Sequence, residues 1–105
     1  MSNVRELSPR NPFLGTWRAC DGFSEVEYTV ALEDGRLVVS GFDKSDGEAA
    51  EIRNVVWSAG TSTLTFEAYW ASSGQLTKYR FTPAPKQGRA NVTYSYTAQE
   101  IWEKT

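Results

Sequence analysis

The sequence predicts an all-β domain: an antiparallel up-and-down meander of seven or eight strands, closed into a small barrel. Three observations carry that prediction. Turn-forming pairs recur about every ten residues, at Asp21-Gly22, Asp34-Gly35, Asp46-Gly47, Ala59-Gly60, Ser73-Gly74 and Gln87-Gly88. Between them apolar residues mostly alternate, as they must where successive side chains point to opposite faces of a pleated strand. Adjacent hairpins without helical crossovers make a meander the economical topology, and closing a meander removes the exposed edges that invite aggregation.

Taken in order, the first strand opens at Phe13-Leu14-Gly15-Thr16-Trp17. The clearest alternation follows in Ser24 to Leu32, where Val26, Tyr28, Val30 and Leu32 share one face while Glu25, Glu27 and Thr29 share the other. Asp34-Gly35 suits the two positive φ angles of a type I′ turn. That turn sets Glu33 opposite Arg36, Leu32 opposite Leu37, Val30 opposite Val39 and Tyr28 opposite Gly41, so the apolar faces coincide. Gly41 then reads either as a glycine covered by an aromatic ring or as a weak point in the strand.

Residues 47–56 read as a strand or as a short helix. Ser45-x-x-Glu48 has the form of a capping box, and Glu48-Ala49-Ala50-Glu51 favours helix. The strand reading needs a bulge near Arg53-Asn54, because Ile52 and the pair Val55/Trp57 fall on opposite parities. A second hairpin joins Thr63–Trp70 to Gln75–Thr82. An even connection aligns Leu64, Phe66, Ala68 and Trp70 with Thr77, Tyr79 and Phe81, and sets Glu67 beside Lys78 or Arg80. Residues 89–104 form one long bent strand or two strands meeting near Thr97-Ala98.

The chain has 105 residues, enough for one domain, read as a flexible polar segment over 1–12 and a barrel over 13–105. A formal charge of −2 gives no footprint for nucleic acid, and no signal or membrane segment is legible, so a cytoplasmic location is the expectation. With no histidine and one cysteine, Cys20, the usual general base, the commonest metal ligand and any internal disulfide are missing. No cofactor, metal or catalytic residue is assigned. Asp43 to Glu48 is rich in carboxylates, but its glycine falls one place early for a calcium loop. Glu25 and Glu27 have acid–base spacing on a face read as solvent-facing.

Gly15-Thr16-Trp17 in the first strand resembles the Gly-x-Trp signature of lipocalins and related calycin-like β-barrels. The resemblance implies a reduced barrel, in which Trp17 closes one end and Lys104, near the C-terminal end, packs across its ring. It also implies an interior that encloses a small apolar ligand.

The inward set is Trp17, Val26, Tyr28, Val30, Leu32, Leu37, Val39, Ile52, Leu64, Phe66, Ala68, Trp70, Tyr79, Phe81, Tyr94 and Ile101. An interior of this size is filled by side chains or holds one small ligand. For the second case Tyr28, Phe66, Trp70, Tyr79, Phe81 and Tyr94 are the candidate binding residues, their hydroxyls needing partners once buried. An inward Arg80 or Arg53 would add a carboxylate clamp. Two function classes lead: a non-enzymatic binding protein for a small apolar or aromatic molecule, and an interaction module with a filled core that self-associates, as a homodimer, through an exposed strand or aromatic patch. An enzyme would need a charged inward group that the alternation does not supply.

Overall fold

The computed structural model describes residues 11–20, 22 and 24–105. Among these the chain is all-β, with strands β1 (Gly15–Trp17), β2 (Val26–Glu33), β3 (Arg36–Asp43), β4 (Glu51–Ser58), β5 (Thr63–Trp70), β6 (Gln75–Pro83) and β7 (Ala90–Thr97). They form two antiparallel sheets, ordered β1-β2-β3 and β4-β5-β6-β7.

Local chemistry sets the registers. Asp34 and Gly35 take φ angles of 50° and 76°, the left-handed pair of a type I′ turn, and β2 pairs β3 with Glu33 opposite Arg36 and Tyr28 opposite Gly41. A Cβ at Gly41 would lie 2.6 Å from Cε1 of Tyr28, so this glycine is the floor on which the ring rests. β5 and β6 meet across a four-residue connection with Trp70 opposite Gln75, which places Glu67 opposite Lys78. Residues 51–58 are strand, not helix, and the ladder to β5 shifts register between Arg53 and Val56, where Asn54 has φ 54°. The bulge turns Ile52 and the Val55/Trp57 pair, on opposite parities, toward one core.

The inner faces of the two sheets pack on each other. Tyr28, Val30, Leu37 and Val39 from the first meet Leu64, Phe66, Ala68 and Phe81 from the second, all buried. Each fully buried aliphatic or aromatic side chain of this kind stabilises the fold by about 1.5–3 kcal/mol relative to exposure. Phe13 joins them although it precedes β1. Its ring is almost wholly buried, in edge contact with Trp17, Trp57 and Phe81 at centroid distances of 5.9–6.2 Å.

Asn11 is buried at 6% exposure and accepts a hydrogen bond from the Phe13 amide at 3.0 Å; residues 1–10 of the expected flexible segment lie outside the described residues. Three expectations change. Residues 89–104 contain one strand, ending at Thr97, and the remainder to Thr105 is exposed and belongs to no strand. Tyr94 and Ile101, expected inside, are 64% and 98% exposed. Lys104 is exposed as well, and the ring contacts of Trp17 are with Phe13 and Phe81.

No closed barrel is detected. One seam between the sheets is held by a single bridge, Phe42 to Ala49. At the other, β1 has three residues where β7 has eight, and no ladder joins them among the described residues. A strand that short cannot satisfy the free edge of β7, so the sheets face each other with that side open.

Candidate functional site: an aromatic cleft at the open seam

Where the sheets part, between β1–β2 and β6–β7, lies a cleft of about 900 Å³. Trp17, Tyr28, Tyr79, Phe81 and Tyr94, with the aliphatic Val92, give it a largely aromatic lining, and Arg18 and Arg89 stand at its exposed rim. Cys20 lies at the same margin as an exposed free thiol.

Each wall has a local cause. Gly15 takes φ 129°, a backbone that side chains rarely adopt, while a Cβ there would meet nothing within 4 Å; conformation, not space, favours glycine before Trp17. Trp17 is then fixed twice. Its Nε1 donates to the Phe13 carbonyl at 2.8 Å, and its ring meets Phe81 edge-on at 5.9 Å. The β6–β7 register sets Tyr79 opposite Tyr94 and Phe81 opposite Val92, so these four side chains share one face.

Tyr28 and Tyr79 come from opposite sheets, their rings 4.8 Å apart, and the Tyr28 hydroxyl donates to that of Tyr79 at 3.0 Å. This bond answers the polar requirement that burying tyrosine creates. Burial pushes the Tyr28 hydroxyl well above its ordinary range, and its hydrogen bond to Tyr79 adds to the rise. Burial likewise raises Tyr79, with the Tyr28 hydrogen bond acting the other way. Both phenols are therefore neutral donors at physiological pH, and the cleft floor carries no charge.

Of the six binding residues expected from sequence, Tyr28, Tyr79, Phe81 and Tyr94 line the cleft. Phe66 is buried behind them against the rings of Tyr28, Tyr79 and Phe81, and Trp70 contacts the edge of Tyr28 without reaching the cleft. Of the barrel-closing trio, Trp17 is in the lining, Gly15 supports it, and Lys104 is in neither place. The inward-arginine option also fails. Arg80 is exposed between Thr65 and Thr93, and Arg53 lies over the Tyr69 ring at 4.8 Å while bonding Glu51 at 2.8 Å.

Sequence reasoning missed Arg18, Arg89 and Val92. Arg18 directly follows the signature Trp, and Val92 has the parity of Tyr94; those were the available signals. Arg89 belongs to the β6–β7 connection, where no alternation exists to read. Among the described residues no group of three or more histidine, cysteine or carboxylate side chains could hold a metal ion, and no helix is long and apolar enough to cross a membrane. The chain matches no protein-family model, no curated protein and no solved structure.

Proposed function

We propose that the protein is a non-enzymatic binding protein that takes a small molecule with an aromatic or apolar body and an anionic end into the cleft at the open seam. One observation carries this reading: an aromatic cleft of about 900 Å³ with two arginines at its rim, large enough for a drug-sized ligand. The rings of Trp17, Phe81 and Tyr94 would supply apolar contact, the outward side of Tyr79 a hydroxyl, and the guanidinium groups of Arg18 and Arg89 paired donors matched to a carboxylate. In this reading the two sheets are a reduced, incompletely closed barrel of the lipocalin-like kind, with the missing pairing between β1 and β7 serving as the mouth.

The test is fluorescence titration with fatty acids and aromatic carboxylates. Trp17 is the tryptophan in the cleft, so a saturable change at one equivalent that disappears in Trp17→Phe supports the reading. Arg18→Gln/Arg89→Gln should weaken a carboxylate ligand about tenfold while leaving its neutral amide unaffected. Absence of a saturable change across both ligand classes would rule the function out.

A further inference from the structure

Among the described residues, β7 is the long strand whose outer edge has neither a bridge, a bulge nor a charge. The other margins differ: β1 has three residues, β3 is bridged to Ala49 at Phe42 and carries Arg36 and Asp43 at its ends, and β4 carries a bulge together with Glu51 and Arg53. β7 runs for eight residues, Ala90–Thr97, in unbroken register with β6, and contains no charge, no proline and no bulge. Its outer N–H and C=O groups form a template for another strand. Val92, Tyr94 and Tyr96 stand on the face shared with Tyr79 and Phe81, yet all three are exposed.

We infer that β7 is a self-pairing edge: two copies of this chain join antiparallel about a two-fold axis at Tyr94, which merges their four-stranded sheets into one of eight strands. Self-pairing sets every residue near its own counterpart, so a strand bearing charge of one sign would repel itself; β7 bears none. With Tyr94 opposite Tyr94, Val92 lies opposite Tyr96 and Thr93 opposite Ser95. All three apolar side chains of each copy then fall on one continuous face.

Charge complementarity beyond the strand favours the same partner. Past Thr97 the chain carries Glu100 and Glu103, and before Ala90 it carries Lys86 and Arg89; all four are exposed and none has an ion-pair partner among the described residues. The tail also carries Lys104, so two carboxylates outnumber one ammonium there, and in the antiparallel pairing Glu100 and Glu103 of each copy run alongside the basic β6–β7 connection of the other. Ile101 and Trp102, 98% and 84% exposed, travel with that tail. The same edge borders the cleft mouth, so the partner's β7 would flank that opening; the pairing rests on the strand itself and not on the cleft's ligand.

The experiment is sedimentation velocity on the full chain from the low micromolar to the high micromolar range, since pairing of single strands makes a small interface. Thr93 and Ser95 are exposed on the outer face of β7, so substitution there leaves the core untouched, with circular dichroism as the check on folding. Wild-type protein should show a concentration-dependent dimer. Thr93→Glu/Ser95→Glu faces Arg80 and Lys78 within its own sheet but sets glutamate opposite glutamate twice across the two-fold axis, and should weaken the dimer by about tenfold or more, whereas Thr93→Lys/Ser95→Glu sets lysine opposite glutamate across the axis and should retain it. A wild-type monomer throughout, as expected if the tail folded back on its own β7, overturns the inference. So does a dimer indifferent to the double glutamate variant, or equal loss of the dimer in both variants.

Discussion

Gly41→Ala tests the packing at the centre of the fold. Gly41 does not have the positive φ that would strain an alanine backbone, so its cost is steric: the new Cβ would lie 2.6 Å from Cε1 and 2.9 Å from Cδ1 of Tyr28. Restoring the 3.4 Å of ordinary contact moves the ring by about 0.8 Å. The ring has little freedom to move, because Phe66 and Tyr79 stand 5.3 and 4.8 Å away and the hydroxyl is bonded to Tyr79. Overpacking of this kind costs about 1–3 kcal/mol, and displacing the hydroxyl forfeits about 0.5–1.5 kcal/mol more. Against these, replacing glycine restricts the unfolded chain and returns about 0.4–1 kcal/mol. The expected net loss is about 2 kcal/mol. In urea titration followed by tryptophan fluorescence, with a slope of about 1–1.5 kcal/mol per molar, the midpoint falls by roughly 1–2 M. The same alanine in a Tyr28→Leu background should cost far less, the colliding ring being gone. A Gly41→Ala protein as stable as wild type, or an equal cost in both backgrounds, would refute the argument.

Two further outcomes follow from buried polar groups. The Tyr28 and Tyr79 hydroxyls both ionise above the ordinary tyrosine value of 10.0, so the unfolded chain loses these protons first; stability should be level below pH 10 with respect to this pair and fall as pH rises beyond it, and a Tyr28→Phe/Tyr79→Phe protein should lose part of that slope in urea midpoints measured across alkaline pH. The Trp57 Nε1 is buried without a hydrogen-bond partner, whereas that of Trp17 bonds Phe13. Trp57→Phe relieves the unpaired donor while surrendering ring area, and should stay within about 1 kcal/mol of wild type; Trp17→Phe also strands a carbonyl and should cost about 1–3 kcal/mol, so equal losses in chemical denaturation would contradict this account.

Local pairing was legible in the sequence because it depends on signals a few residues apart. Asp34-Gly35 gave the β2–β3 register, including Tyr28 over Gly41, and the parity conflict at Ile52 and Val55 located the β4 bulge. Alternation states which side chains share a face but not whether anything lies across from them. Tyr94 lies on the same sheet face as the buried Phe66 and Phe81, and it is exposed because no strand among the described residues pairs with the outer edge of β7. Phe13 has the parity of the inward Trp17 but stands outside the inward set read from sequence; it enters the core ahead of β1, its amide bonded to the side chain of Asn11. The cleft was half legible. Its tyrosines and Trp17 follow from parity and the Gly-x-Trp tripeptide, whereas its arginine rim depends on the termination of β1 at Trp17 and on the path of the β6–β7 connection.

In the pairing inferred for β7, the bulge at Asn54 would bear on stoichiometry as well as shape. A ribbon that could accept a neighbour on both flanks would add copies indefinitely, in the manner of a fibril. With the β4 flank of the four-stranded sheet broken by its own backbone, growth along β7 in that sheet would stop at two chains.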